Sequence, residues 1–260
     1  MNHIEAIFCP SEFAGLRQRD LRETVCVVFD VLRATSTLLA AFASGAESVE
    51  PVAGIPEALA GRAADPTVML AGERNGLRID GSQTGGVEFD LGNSPREFTP
   101  DRVRGRRIVM TTTNGTRALH ACTGAAAVLA ASFGNLSATA HWLTREDPRQ
   151  LLLVCAGTLD HASLEDTLAA GALADELWHL ASSGWIDDAV RIARDLYRSR
   201  RGDLLRAVAE GRNGHRLLSQ PQFAGDVPVC LERDRFPFIA RLDPQGRLRA
   251  ELPPPQPGPG

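Results

Sequence analysis

The segment Val28-Phe29-Asp30-Val31-Leu32-Arg33-Ala34-Thr35-Ser36-Thr37 sets a carboxylate and a guanidinium close together where an apolar run turns polar. A carboxylate at the end of a buried strand is well placed to hold a hard cation such as Mg2+. The planar fork of Arg33 suits phosphate oxygens, as do the free N–H groups at a helix N-terminus. The plain alternative is that Asp30 caps the helix and Arg33 makes a surface ion pair. Glu73-Arg74 repeats the pairing of acid and guanidinium, and Asn75-Gly76 would support a simple surface turn there. Thr111-Thr112-Thr113-Asn114-Gly115 offers hydroxyls, an amide and a glycine that lets backbone approach closely, which makes a cradle for an anion. Its alternative is an N-cap on an extended edge. Glu165-Asp166 follows Ser163 and could merely complement a helix dipole, or complete a metal site with Asp30 and Glu73. Cys155 reads better as a small buried hydrophobe than as a site thiol.

These groups need a scaffold, and the apolar runs provide it. Residues 24–29, 107–110 and 151–155 are nearly all apolar, as suits strands covered on both faces. Residues 48–52, 67–70 and 127–130 are also strand-like. Helical patterns fill 34–44, 56–64, 116–122 and 163–180, and 183–211 is mostly helical. Ser94-Pro95-Arg96-Glu97 fits a capped helix start, with Glu97 closing a capping box. Residues 77–90 read as a long loop, and residues 236–242 and 248–252 as a closing hairpin.

Strand–helix alternation predicts an α/β fold with α/β/α layers and a largely parallel or mixed sheet. Residues 1–252 read as a single domain, and 253–260 (PPPQPGPG) as a disordered tail. The order strand, polar loop, Ala-rich helix, Gly-Ala, strand occurs in 25–52 and again in 107–130, so the domain reads as two pseudo-repeated halves. Ligands in such folds bind outside the carboxyl ends of the strands. That rule selects the loops at Asp30, Glu73, Thr113 and Cys155.

Composition limits the chemistry. The formal net charge of −4 argues against a general nucleic-acid binder. All 28 basic residues are Arg, so neither a Schiff-base lysine nor a P-loop lysine is available. The five cysteines are odd in number and form no Cys-x-x-Cys pair, which favours reduced thiols in a reducing compartment. No apolar run is long enough to span a bilayer, and the start lacks the pattern of a signal peptide; a cytoplasmic protein is expected. A homodimer is the default oligomer. The Asp-x-Asp, Cys-x5-Arg, Arg-His-Gly, Gly-x-Gly-x-x-Gly and Gly-x-Ser-x-Gly motifs are all missing. Acid, Arg and hydroxyl chemistry around a divalent ion remains.

The segment at Asp30, Gly72-Glu73-Arg74-Asn75-Gly76, Asp90-Leu91-Gly92-Asn93-Ser94-Pro95-Arg96-Glu97, Thr111 to Thr116, and Cys155-Ala156-Gly157 with Ser163-Leu164-Glu165-Asp166 together resemble the 2-phosphosulfolactate phosphatase family. The match in order and spacing runs from near Ile4 to near Asp243. The resemblance implies a Mg2+-dependent hydrolase that converts 2-phospho-3-sulfolactate to 3-sulfolactate and phosphate, a step of coenzyme M biosynthesis in methanogens. It implies three layers, α/β/α. On this reading Asp30, Glu73 and one or both of Glu165 and Asp166 hold the metal, directly or through water. Arg33, Arg74, Thr113, Asn114 and Gly115 bind phosphate or sulfonate, and Asn93 orients substrate or a water. Asp30, Arg33, Glu73, Asn93 and Asn114 form the catalytic set. Residues 81–88 (GSQTGGVE) look like an insertion, which would bear on substrate choice if they covered the site. Two other readings stay open: a phosphatase of the same fold for another phosphorylated hydroxy acid, and a non-catalytic anion-binding module.

Overall fold

The strand at Thr24–Phe29 is buried at every position. Val25, Val27 and Phe29 enter one apolar cluster, while Cys26 and Val28 on the opposite face enter another. Apolar residues on both faces of a period-two element require cover on both sides. The computed structural model, which describes residues 1–180 and 184–252, supplies that cover with helices on each side of one sheet. The tail expected at 253–260 lies outside the described residues.

Among the described residues the sheet has eleven strands. They are β1 (His3–Ile7), β2 (Thr24–Phe29), β3 (Ser48–Pro51), β4 (Met69–Arg74), β5 (Leu77–Arg78), β6 (Arg107–Thr111), β7 (Ala127–Ala131), β8 (Gln150–Cys155), β9 (Trp185–Ile186), β10 (Ile239–Leu242) and β11 (Leu248–Glu251). Their order is β5-β4-β6-β3-β11-β10-β7-β2-β8-β1-β9. β7, β2, β8, β1 and β9 pair in parallel, as do β3, β6 and β4. The antiparallel hairpin β10–β11 sits between these groups and joins them. The sheet is therefore mixed, and the expected closing hairpin lies at its centre.

The helices Leu136–Glu146 and Leu164–Leu177 cover one face through Leu136, Leu143, Leu168 and Leu173. Ala34–Ala43 and Gly115–Ala121 cover the other through Leu38, Leu39, Ala118 and Leu119. Ile55–Ala64 places Ala58 against Leu70 and Val109 of β4 and β6. This is the expected α/β/α layering. The two segments read as a repeat, 25–52 and 107–130, correspond to β2–β3 and β6–β7. Each begins in one parallel group and ends in the other, so each unit spans the sheet.

Several local expectations change. β4 continues through Glu73 and Arg74, because β5 pairs with that end as a hairpin. Asn75 (φ 56°) and Gly76 (φ 84°) form its two-residue turn, the conformation that Asn-Gly favours. Residues 81–84 form one helical turn capped by Asp80. The capping box at Ser94 does not form: the Ser94 hydroxyl donates to Asp226, and Glu97 accepts the Gly92 N–H. The long helix ends at Leu177. All five cysteines are free thiols. No helix among the described residues is long and apolar enough to cross a membrane.

Candidate active site

A cavity of about 350 Å³ opens where the loops after β2, β4, β6 and β8 meet. Asp30, Arg33, Glu73, Asn93, Thr113 and Asn114 line it, together with Gly157 and Thr158. The loops selected by the strand-end rule at Asp30, Glu73 and Thr113 thus meet at one cavity. A second wall comes from Arg212, Asn213, Arg216 and Gln220, in and just after the helix Arg212–Leu218. No residue of 81–88 lines the cavity.

Asp30 follows β2 and is 8% exposed. Its Oδ1 accepts the Ala34 N–H at 3.1 Å, so it does cap the helix start. No donor among the described residues engages Oδ2. Burial, reinforced by the charges of Glu73 and Glu165 and opposed by the Ala34 N–H and Arg33, pushes its carboxyl up to about 7. Glycine is required beside it: a Cβ at Gly115 would stand 2.6 Å from Asp30 Oδ2.

Glu73 ties two loops together. Its Oε2 accepts the Gly76 N–H at 2.7 Å, and its Oε1 accepts the N–H and hydroxyl of Thr113, both at 2.8 Å. Asn114 shares its amide N–H groups among the carbonyls of Ala156, Gly157 and Leu159, at 3.2, 2.7 and 3.2 Å. The Thr113 donors and the Asn114 side-chain amide of the expected Thr113-Asn114-Gly115 cradle therefore face protein acceptors. Arg74 donates to the Glu73 carbonyl and to Thr111 Oγ1 and is not among the cavity-lining residues. The guanidinium groups that line the cavity are those of Arg33, Arg212 and Arg216.

The two acids of the helix Leu164–Leu177 differ in their surroundings. Asp166 accepts the N–H groups of Val31 (2.8 Å) and Gly157 (3.0 Å) and the Ser163 hydroxyl (2.6 Å). It fastens the loops after β2 and β8, and neither it nor Glu165 is among the cavity-lining residues. Burial and the charges of Glu165 and Asp30 raise its carboxyl against the pull of Ser163 and Val31. Glu165 is 1% exposed and accepts the Asn213 amide at 2.8 Å through Oε1. Its Oε2 is buried with no partner, and so are Asn93 Oδ1 and Asn114 Oδ1. Burial raises Glu165, with the Asn213 amide opposing. Cys155 is fully buried and pushed well up by burial, as an inert thiol should be.

Among the described residues, no three His, Cys, Asp or Glu side chains form a cage for a metal ion. Mg2+ does not need one, since it commonly takes one or two carboxylates and completes its shell with water and substrate phosphate. Asp30 Oδ2 and the orphaned oxygens of Glu165, Asn93 and Asn114 are hard donors of the right type, and buried acceptors without a donor call for a positive partner.

Sequence reasoning did not single out Asn213, Arg212, Arg216 or Asp226. Asn213 is 5% exposed within a short helix and donates to the Leu32 carbonyl and to Glu165, both at 2.8 Å. The run Gly211-Arg212-Asn213-Gly214 was the available signal, because glycines and a buried amide are unusual in a helix held only by apolar packing.

Carboxylates, unpaired oxygens and guanidinium groups gather around one cavity of an α/β/α protein. A model of the family described as "2-phosphosulpholactate phosphatase" matches residues 13–245. A protein of Caldanaerobacter subterraneus subsp. tengcongensis named "Probable 2-phosphosulfolactate phosphatase" is 36% identical over 232 residues, covering 88% of this chain and 92% of its own. A Synechococcus sp. (strain JA-3-3Ab) protein of the same name is 39% identical over 228 residues, covering 85% and 90%. One from Pseudothermotoga lettingae is 35% identical over 237 residues, covering 91% and 94%. The chain belongs to the 2-phosphosulpholactate phosphatase family, a family of phosphoric monoester hydrolases.

Proposed function

We propose that this protein is a Mg2+-dependent phosphatase that hydrolyses 2-phospho-3-sulfolactate to 3-sulfolactate and phosphate. The observation that supports the reading is one cavity lined by Arg33, by Asp30 with its free Oδ2, and by Asn93 and Asn114, each of which keeps a buried side-chain oxygen without a partner. Pure anion binding gains nothing from buried carboxylates beside its cations, whereas phosphoryl transfer uses both.

Asp30 is the first metal ligand in this reading, with Glu165 Oε2, Asn93 Oδ1 or Asn114 Oδ1 completing the protein's share. The bound ion would neutralise phosphoryl oxygens and lower the pKa of water. Arg33 binds phosphoryl oxygens with the donors that it has left. It is 4% exposed, fixed by Asp226 and the Gly76 carbonyl, and stacked 4.4 Å from the centre of Phe223, so it needs little reorganisation. Glu73 and Asp166 hold the loops that carry these groups. The attacking group is water in this reading, the default over a covalent intermediate on Asp30, and no cysteine is among the described residues that line the cavity. A cytoplasmic setting and a homodimer complete the reading.

The test is phosphate release from 2-phosphosulfolactate, with and without Mg2+, beside an analogue in which a methyl group replaces the sulfomethyl group. Turnover of the first, in Mg2+ only, is expected. Faster turnover of the analogue would move the assignment to another phosphorylated hydroxy acid.

A further inference from the structure

The helix Arg212–Leu218 supplies one wall of the cavity, and its placement is tight. A Cβ at Gly214 would stand 2.1 Å from the Val208 carbonyl oxygen, so the helix packs directly on the backbone before it. Asn213 is anchored to Leu32 and Glu165, and its Oδ1 accepts Nη2 of Arg216 at 2.8 Å. Arg216 is half-buried and held in one orientation.

The position of that guanidinium is unusual. A Cβ placed on Gly76 would lie 3.0 Å from Arg216 Nη1 and 3.7 Å from Arg33 Nη2. Two cations therefore flank one glycine of the β4–β5 turn. The charge of Arg33 is answered by Asp226 at 2.6 Å. Arg216 has no carboxylate within 4.0 Å among the described residues, and its one hydrogen-bond acceptor there is the neutral Asn213 amide. Burial first, and then the charge of Arg33, pull its pKa down, while Glu73 and Glu165 act on it only from a distance. A held, partly desolvated cation beside a second cation is costly unless an anion arrives.

We propose that Arg216 selects the substrate's second anionic group, a sulfonate or carboxylate remote from the phosphoryl group. This deepens the phosphatase reading and rests on it for the identity of the first group. The cavity then takes compact phosphorylated acids with two separated anionic ends. Arg33 serves the phosphoryl end and Arg216 the other, and a guanidinium fork fits a planar carboxylate face or two sulfonate oxygens equally well.

The test compares wild type with Arg216→Met, which keeps the bulk and removes the charge, and with Arg216→Lys. Circular dichroism and thermal melting establish that each variant is folded. Three phosphate esters serve as substrates with Mg2+: 2-phosphosulfolactate, 2-phospholactate (carboxylate only) and 2-phosphooxyethanesulfonate (sulfonate only). If Arg216 holds the sulfonate, the preference of wild type for 2-phosphosulfolactate over 2-phospholactate falls about 10- to 100-fold in Arg216→Met, mainly through KM. If it holds the carboxylate, the preference over 2-phosphooxyethanesulfonate falls instead. Arg216→Lys retains part of either preference. Unchanged ratios across all three substrates in a folded Arg216→Met would overturn the proposal. Calorimetric binding of the product 3-sulfolactate separates it from the phosphatase reading. Binding by wild type that weakens at least 10-fold in Arg216→Met supports the role of Arg216 even if no ester is hydrolysed. Equal binding by both proteins, or binding by neither, contradicts it.

Discussion

Arg33 donates through Nη1 to Oδ2 of Asp226 at 2.6 Å, across 193 residues of chain, with both side chains almost fully buried. Asp226 Oδ1 accepts the Ser94 hydroxyl at 2.7 Å and Arg96 Nε at 2.8 Å, so no lone pair faces the apolar interior unaided. Removing one partner leaves a charge stranded. Asp226→Ala is expected to lose roughly 3–5 kcal/mol of stability, and the double variant with Arg33→Met should lose less than the two single losses combined. Urea denaturation of the three variants measures this. Simple additivity would mean that the pair is not coupled.

The carboxyl of Asp30 sits at about 7 in the folded chain and near 3.8 when unfolded. The folded state therefore keeps a proton that the unfolded state has lost between those values. The stability tied to that proton is complete below the unfolded value and disappears as pH rises through 7. The full difference is about 4 kcal/mol. Metal-free Asp30→Asn should melt above wild type at pH 8, and the gap should shrink toward pH 5. A gap that stays constant or grows on acidification would show that Asp30 is not proton-linked in this way.

Gly115→Ala would force a methyl group to 2.6 Å from Asp30 Oδ2 and 2.7 Å from Ala34 Cβ. Something must move, and the cost of such overpacking is about 1–3 kcal/mol. Phosphatase activity should fall at least about 100-fold, as a displacement near 1 Å can do. Full activity in the folded variant would mean that the Asp30 carboxylate does not need this position.

Glu165 and Asp166 are neighbours with different expected roles. Mg2+ should raise the melting temperature of wild type by mass action, and Glu165→Gln should reduce that gain. Asp166→Asn should instead melt lower with or without Mg2+, by roughly 1–3 kcal/mol, because it weakens acceptors of the Val31 and Gly157 N–H groups. Thermal melts of both variants across a Mg2+ titration check this. The reverse pattern would exchange the roles.

The sheet was legible because its strands are short apolar runs that can hardly be anything else, as at Thr24–Phe29 and Gln150–Cys155. Asp30, Arg33, Glu73 and Asn114 were legible because polar groups directly after such runs fall where these folds bind ligands, whereas Asn93 came only from the family resemblance. The wall at Arg212, Asn213 and Arg216 was not. Its contacts with Leu32 and Glu165 span 181 and 48 residues, and a pattern local to the helix cannot report them. Asp226 was hidden for the same reason, since an acid in the first turn of a short helix looks like a partner for the dipole. Arg74 was misplaced because the sequence showed an apolar strand ending at Leu70. The hairpin with β5 carries the strand further and engages the guanidinium with Thr111.

In the proposed reaction Asp30 is the group that makes this cavity a metal-dependent phosphatase site. The most direct measurement is phosphate release from 2-phosphosulfolactate in saturating Mg2+ at pH 8 by wild type and by Asp30→Asn, with folding of both confirmed. Wild type should turn over and lose activity when the metal is chelated, while the folded variant should be inactive at every Mg2+ concentration. Turnover by Asp30→Asn at a rate close to that of wild type would rule out Asp30 as the metal ligand on which hydrolysis depends.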